Sequence, residues 1–349
     1  MKHIKYLTAF SVVGIFVTSA LPASAITNFT STDTIKVTSP SGTNNAAGAG
    51  TITGGAGNGS DPVLTDDAFL DTLTFESGNS SFTGNDNPST NSFRGVQRLT
   101  VVSGREGGSG SDAANVNGEF GENDDNSDGD DTPFHKAGLV ATGDPVTDTI
   151  RESTDPDDQD AALLQALNNR NLAEIADGEG VQSYTLRLIF DQGINDDNNG
   201  NDDAPEIVLF ERGINDDAIE IKLITGGTFE APIFSGSTFS EASSNYDDTG
   251  LNLNTDEIGS AQNLGVIGLD LSQDFGLTNG DPVFGVEITS NNGGADINSA
   301  LLASQDPSRF VDPPSSLTTP VPFEAEGSMG LVALGGYIFY RYRKNRKQT

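Results

Sequence analysis

The sequence contains no cysteine and no tryptophan, and only 2 of its 349 residues are histidine. Without cysteine, the chain can form no disulfide and perform no thiol chemistry. One histidine lies at position 3, so His135 is the only histidine of the remaining chain. A single histidine excludes a zinc site with several histidines, and we interpret His135 as a residue that caps a loop rather than as a catalytic base. We therefore expect that the protein is not an enzyme.

Basic residues are also scarce, since Lys and Arg number 18 against 51 Asp and Glu. Two of the bases lie within residues 1–25 and five within residues 341–347, while two of the acids are Glu324 and Glu326. The part between these ends therefore has 11 bases and 49 acids, a formal charge of −38. Such a charge argues against nucleic acid and anionic membranes as partners of the body, and it favours bound cations.

Residues 1–25 have the three parts of a secretory signal peptide. A positively charged start precedes an apolar core over residues 7–21, and Ala23 and Ala25 are the small residues of a cleavage site. We expect signal peptidase to cut after Ala25, which makes Ile26 the first residue of the mature chain. The alternative is a retained anchor, for which the core is short, because a spanning helix needs about 20 apolar residues.

The last thirty residues have the layout of a second targeting signal. The motif Pro322-Phe323-Glu324 precedes a Gly-rich apolar run over residues 327–340, and the basic residues Arg341, Arg343, Lys344, Arg346 and Lys347 follow. The run is short for a permanent span, and its bases favour the cytoplasmic side. We expect an exported body whose tail is held in the membrane for a limited time. The alternative is a plain single-span anchor.

This layout resembles the C-terminal sorting signal of exosortase substrates, the PEP-CTERM class, in the Pro-Phe-Glu variant typical of cyanobacterial surface proteins. The resemblance implies that a membrane protease, exosortase, cleaves near Pro322, Phe323 and Glu324 and passes the body to the cell exterior. It also implies that Arg341 and Arg343 belong to the basic end of the signal, and that signal peptidase and exosortase are partners during export.

The segments Asn171–Gly180, Pro205–Asp217 and Asp256–Leu271 are similar to the bodies of a group of such surface proteins, over roughly residues 155–305. This second resemblance implies a location and an architecture and points to no particular activity.

The body is predicted to be mainly β, because apolar residues alternate over Tyr184–Phe190 and Ile219–Leu223 and recur in short runs after them. One helix is predicted over residues 156–177, where leucines recur at helical spacing after an N-cap at Asp155. The expected fold is an antiparallel β-sandwich of jelly-roll type, with one packed helix and long acidic or Gly-rich loops.

The expected organisation has five parts. They are a signal peptide (1–25), a polar strand and linker region (26–62) in which residues 39–62 are a loop or linker, the sandwich body (63–311), a Pro/Ser/Thr linker (312–322) and the sorting signal (322–349). Within the body, Leu188–Asp197 matches Val208–Asp217 twenty residues later. Each copy predicts a strand followed by a Gly-Ile-Asn-Asp-Asp turn.

Two acidic segments have the ligand spacing of a calcium loop of EF-hand type, in which alternate oxygens converge on one cation. The first offers Asp124, Asn126, Asp128 and Asp130, but His135 takes the twelfth position, where a glutamate is expected. The second offers Asn195, Asp197, Asn199, Asn201 and, at the twelfth position, Glu206. Calcium is therefore the expected cofactor. The alternative for both segments is a solvated acidic loop.

These features together predict a secreted, exosortase-sorted protein of the cell surface or extracellular matrix, with a structural or adhesive role and calcium-dependent stability. The alternative is a calcium-dependent glycan-binding module of the envelope, with extracellular polysaccharide as its partner. The absence of tryptophan leaves few aromatic residues for sugar stacking. A hydrolase with a carboxylate pair is the third reading, although no spacing singles out such a pair.

Overall fold

The computed structural model describes a β-rich body between residues 29 and 319. The described residues are 29, 32–39, 50–54, 62–64, 68–75, 80–85, 87, 89–104, 115–119, 160, 163–164, 166–167, 170–179, 183–195, 204–214, 219–241, 246–254, 260–277, 281–290 and 295–319. Among these residues, no helix has both the length and the apolar character needed to cross a membrane. The predicted signal peptide and sorting signal lie outside the described residues.

Most of the described residues belong to strands. In chain order these are β1 (Thr34–Ser39), β2 (Gly50–Gly54), β3 (Val63–Leu64), β4 (Phe69–Phe75), β5 (Ser80–Thr83), β6 (Phe93–Arg94), β7 (Val96–Ser103), β8 (Asn115–Glu119), β9 (Ile175–Glu179), β10 (Tyr184–Ile194), β11 (Ile207–Arg212), β12 (Ile219–Gly227), β13 (Pro232–Glu241), β14 (Asp247–Leu253), β15 (Gln262–Leu269), β16 (Val283–Ser290), β17 (Ile297–Ala303) and β18 (Phe310–Val311). A 3₁₀ helix over Pro307–Arg309 and a short α-helix over Ser315–Thr318 lie near the end.

The strands form three sheets. The four-stranded sheet has the order β2-β1-β4-β5, and the six-stranded sheet has the order β13-β12-β16-β10-β18, with β7 also paired to β10. The eight-stranded sheet has the order β3-β14-β15-β11-β17-β9-β8, with β6 also paired to β17. The described pairs are antiparallel except for β14 with β3. The prediction of a mainly β fold with antiparallel sheets in a sandwich-like arrangement is confirmed.

The eight-stranded sheet is the middle layer, because both of its faces are buried. Along β11, Ile207 and Leu209 belong to an apolar core shared with the six-stranded sheet. The alternate residues Val208 and Phe210 belong to a second core, shared with the four-stranded sheet. Successive side chains of a strand point to opposite faces, so a continuous apolar strand indicates a sheet covered on both sides. All six residues of β11 are buried accordingly.

The helix is shorter than the sequence predicts. Residues 160, 163, 164, 166 and 167 are helical, and Leu163 and Leu167 pack into the core of the six-stranded sheet. From Asn171 the chain is no longer helical, so the prediction of a helix to residue 177 is wrong. The backbone N–H of Leu172 donates to the carbonyl of Ala68 at 2.9 Å, and the Asn171 side chain accepts from the Ala68 N–H at 2.9 Å. These bonds to the start of β4 replace those that would continue the helix.

The N-terminal part of the body is more ordered than a polar linker. Strands β1 and β2 pair with each other over five registered positions, and β1 also pairs with β4. Ile35, Val37 and Ile52 are buried in the second core. Residues 50–54, which lie within the stretch expected to be a linker, are therefore part of a sheet that covers one face of the middle layer.

Candidate functional site

The structure describes two of the nine residues predicted to bind calcium, Asn195 and Glu206. Several predicted site residues lie outside the described residues: Asp124, Asn126, Asp128, Asp130, Asp197, Asn199, Asn201, the cleavage residues Ala23 and Ala25, and the tail residues Pro322, Phe323, Glu324, Arg341 and Arg343. What the structure adds for the second loop is therefore the position of its two ends.

The two ends of the second predicted calcium loop belong to different sheets. Asn195 follows β10 of the six-stranded sheet, and its N–H donates to the carbonyl of Arg309 at 3.3 Å. Glu206 precedes β11 of the eight-stranded sheet, and its N–H donates to the carbonyl of Leu269 at 3.0 Å. The segment between them thus joins two layers of the fold.

The carboxylate of Glu206 is 6% exposed and stabilises a neighbouring turn. Its Oε2 accepts a hydrogen bond from the Leu271 N–H at 3.0 Å. In the same turn, Asp270 Oδ1 accepts from the N–H groups of Ser272 and Gln273, each at 2.7 Å. Across the described part of the chain, no three His, Asp or Glu residues are grouped so that they could hold a metal ion. The acids at this corner hold the backbone geometry of the turn.

The two copies of the internal repeat adopt different conformations. In the first copy, Gly193 and Ile194 continue β10 and pair with Val311 and Phe310. In the second copy, Gly213 and Ile214 follow β11 and have positive φ angles of 105° and 57°. The prediction of a turn at both glycines is therefore wrong for the first copy, because β18 extends the sheet there.

A buried ion pair distinguishes the second copy from the first. The Arg212 guanidinium donates to Asp296 Oδ2 from Nε at 3.1 Å and from Nη2 at 2.8 Å, and the two side chains are 2% and 9% exposed. The preceding residue, Glu211, accepts from the Ile214 N–H at 2.8 Å and so stabilises the left-handed turn. The first copy has Gln192 where the second has Arg212. Sequence reasoning missed this pair, although a base between an apolar strand and an acidic turn is unusual in so acidic a chain.

A second buried guanidinium, that of Arg94, joins the first copy to the C-terminal segment. Its Nε donates to Gln192 Oε1 at 2.5 Å, and its Cζ atom lies 4.0 Å from the centre of the Phe310 ring. Gln192 in turn donates to Asp312 Oδ1 at 3.1 Å. Burial lowers the pKa of Arg94, and the nearby carboxylate of Asp191 opposes this shift. Asp191 is exposed at its surface, but the surrounding protein removes part of its hydration and raises its pKa to about 6, against the opposing effect of Arg94.

The residues Phe310–Thr319, which we call the C-terminal strap, begin in β18, whose Phe310 packs in the core between the six- and eight-stranded sheets. From Val311 the strap packs on the outer face of the six-stranded sheet. The sequence predicts a linker over residues 312–322, which includes most of the strap. Leu317 is fully buried there in a third apolar core, whose other members are Ile189, Ile224, Phe229 and Phe284. The Ser316 hydroxyl donates to the carbonyl of Gly227 at 2.8 Å, and the Phe229 N–H donates to the carbonyl of Ser316 at 3.2 Å.

Arg98 of β7 holds the end of the strap. Its Nη1 donates to the carbonyl oxygens of Leu317 and Thr319, each at 3.1 Å. Its Nη2 forms an ion pair with Glu230 Oε1 at 3.3 Å, and the guanidinium lies 3.7 Å from the centre of the Phe229 ring. Burial lowers the pKa of Arg98, and Glu230 opposes that shift. Ion pairing and stacking orient the guanidinium so that its donors reach the strap.

The first described residue, Phe29, is anchored as well. Its N–H donates to Asp247 Oδ2 at 2.5 Å, and its ring makes an edge contact with Phe75 at 5.9 Å. Burial raises the pKa of Asp247, the Phe29 N–H opposes this, and the nearby Asp33 carboxylate adds to the increase. The described body is therefore tied down at both ends.

Comparisons with family models, curated proteins and solved structures found no match to the chain.

Proposed function

We propose that the protein is exported across the cytoplasmic membrane and sorted by exosortase to the cell surface or extracellular matrix, where the β-rich body has a structural or adhesive, non-catalytic role. The observation that carries this proposal is the tail, in which Pro322-Phe323-Glu324, a short apolar run and a basic end follow one another. The signal-peptide pattern of residues 1–25 supports it, because the tail can act only on an exported chain.

The packing at the two ends of the body supports the same proposal. Phe29 lies four residues after Ala25, the last residue of the predicted signal peptide. Thr319 lies three residues before Pro322 and accepts a hydrogen bond from Arg98. Removal of both signals would thus leave the packed residues of the body intact.

The proposal includes calcium at the segment between Asn195 and Glu206. Its ends are fixed on two different sheets, so a cation held between them would link two layers of a fold that has no disulfide. A cation bound only by the folded state stabilises it by about 2.7 kcal/mol at a hundredfold excess over Kd. Extracellular calcium sites work at Kd values of about 10⁻⁴–10⁻³ M.

The sorting proposal is tested with motif variants of the full chain expressed in the producing cell. The triple change Pro322→Ala, Phe323→Ala and Glu324→Ala removes the motif, and Pro320→Ala is the matched control two residues upstream. We expect the native chain and the control to reach the surface or medium without the tail, and the triple variant to stay in the membrane fraction. Equal processing of the triple variant and the native chain would contradict the proposal.

A further inference from the structure

The C-terminal strap ends three residues before the predicted sorting motif. Thr319 is the last residue that Arg98 contacts, and Pro322 begins the motif. An extended chain covers at most about 3.6 Å per residue, so three residues span at most about 11 Å. While Arg98 binds Thr319, the first residue of the motif can therefore lie no more than about 11 Å from Thr319.

This short distance matters for any protease that cuts near the motif. A protein that binds a peptide in extended form uses the main-chain N–H and C=O groups of that peptide, so these groups must be free when the protease binds. The residues upstream of Pro320 are occupied in the docked strap, since Leu317 is buried and the Ser316 backbone and side chain are hydrogen-bonded. Cleavage of a docked segment then follows the population in which the segment has opened.

The strap is built to open without unfolding the body. Its helix has only 4 residues, which is too short to be stable alone. In that helix only Leu317 is buried, whereas Ser315 and Ser316 are exposed. Besides the two Ser316 bonds, this end is held by Arg98, whose charged Nη1 donates to two strap carbonyls. Hydrogen bonds from a charged group contribute more than neutral ones, so Arg98 is the largest single polar restraint on this end.

We propose that Arg98 is a positioning residue for tail removal: it keeps the strap docked on the six-stranded sheet, and exosortase acts on the fraction of molecules in which the strap has opened. The inference rests on the sorting function proposed above. It adds regulation of tail removal, because the strength of the Arg98 contacts sets how long the tail remains attached to a folded body.

The test compares Arg98→Ala with Lys222→Ala. Lys222 lies on the same sheet face, where its Nζ lies 3.8 Å from Glu287 Oε1 and 5.9 Å from the centre of the Phe234 ring, both outside the strap and its apolar core. Ser316→Ala is a milder second variant, because Ser316 is exposed and loses only its bond to Gly227. All variants are full chains in the producing cell, and the processed body is purified for the exchange measurement.

Two quantities are measured. Hydrogen exchange on the purified body reports opening of the strap through the N–H groups of Leu317 and Thr319, which donate to Pro314 and Ser315. Pulse labelling reports the rate of tail removal in cells. We expect Arg98→Ala to raise both rates about tenfold, Ser316→Ala to raise both by less, and Lys222→Ala to change neither.

Each other outcome overturns a defined statement. Unchanged exchange in Arg98→Ala and Ser316→Ala would show that these residues do not hold the strap. Faster exchange with an unchanged rate of tail removal would show that the strap does not control processing. Retention of the tail by the native chain would instead refute the sorting function, and this inference with it. If Arg98→Ala does not fold, the comparison of Ser316→Ala with Lys222→Ala decides by the same criteria.

Discussion

Arg98 in β7 donates a hydrogen bond from Nη1 to the carbonyl oxygen of Leu317 at 3.1 Å, across 219 positions of sequence. The bond joins an early strand of the six-stranded sheet to the last buried residue of the described chain. Leu317 itself fills the third apolar core, next to the Phe229 ring on which the Arg98 guanidinium stacks. One side chain thus connects the packing of the body with the point where the tail begins.

The buried pair of Arg212 and Asp296 predicts a large mutational effect. Asp296→Ala leaves a guanidinium buried without its carboxylate, and removal of one partner of a buried pair costs about 3–5 kcal/mol. We expect the free energy of unfolding in urea to fall by that amount. Glu230→Ala is the control, because Glu230 is half exposed in its pair with Arg98 and exposed pairs contribute about 1 kcal/mol or less. Equal effects of the two substitutions would contradict the assigned burial.

The raised pKa of Asp191 predicts a pH-dependent stability. Its folded-state pKa is about 6, above the usual 3.8, so the folded state binds more protons than the unfolded state in this window. Stability should therefore decrease as pH rises from about 4 to about 6. Asp247, whose pKa is also raised, contributes in the same direction.

Asp191→Asn tests this statement, with the free energy of unfolding measured in urea between pH 4.5 and pH 7.5. We expect the variant to lose part of the decrease seen in the native protein. Asp306→Asn is the control, because hydrogen bonds from Ser308 lower the pKa of Asp306 from 3.8, so its contribution is lost only below about pH 4 and the variant should keep the native profile in the measured range. A pH profile identical in Asp191→Asn and the native protein would refute the assignment.

Gly285 predicts a steric effect in the middle of the six-stranded sheet. A Cβ at this position would lie 2.2 Å from the carbonyl oxygen of Leu188 on the paired strand. Gly285→Ala should therefore lower the unfolding free energy by about 1–3 kcal/mol. Gly226→Ala is the matched control in the same sheet, since its nearest neighbour would be an Ile233 side-chain atom at 3.9 Å. Thermal melts of the two variants should differ, and identical melting temperatures would argue against the close strand contact between Leu188 and Gly285.

The sequence allows much of the sheet structure to be predicted, because a half-buried strand leaves a local alternation of apolar and polar residues. The alternation at Tyr184–Phe190 and Ile219–Leu223 lies within β10 and β12. The helix end at Asn171 was not predictable in this way, since it depends on bonds to Ala68. The leucines that predict one apolar helix face do not share a face. Leu163 and Leu172 pack in different cores on either side of the middle sheet.

The candidate sites show the same limit. Asn195 and Glu206 were selected by spacing within one loop, and that spacing carries no information about the separate sheets to which the two residues belong. The strap and the Arg212 pair rest on contacts between residues 219 and 84 positions apart. The strap gives little local signal in the sequence, because a Ser/Thr/Pro-rich segment with one leucine has the composition of a linker.

Calcium should stabilise the body through the two predicted loops. We expect thermal melts to shift upward with calcium, to remain lower with magnesium at equal ionic strength, and to fall with chelator. Asp128→Ala and Asp197→Ala should each remove part of the shift, whereas Asp281→Ala, at an exposed position outside both loops, should not. Equal shifts with both cations and in all variants would indicate general screening of the acidic body.

The most direct test of the central claim is mass spectrometry of the protein recovered from the cell surface or medium. The account predicts an N-terminus at Ile26 and a C-terminus near Pro322, with no peptide from residues 330–349 attached to the body. Peptides of residues 330–349 still joined to the surface form, or an N-terminus that retains residues 1–25, would contradict it.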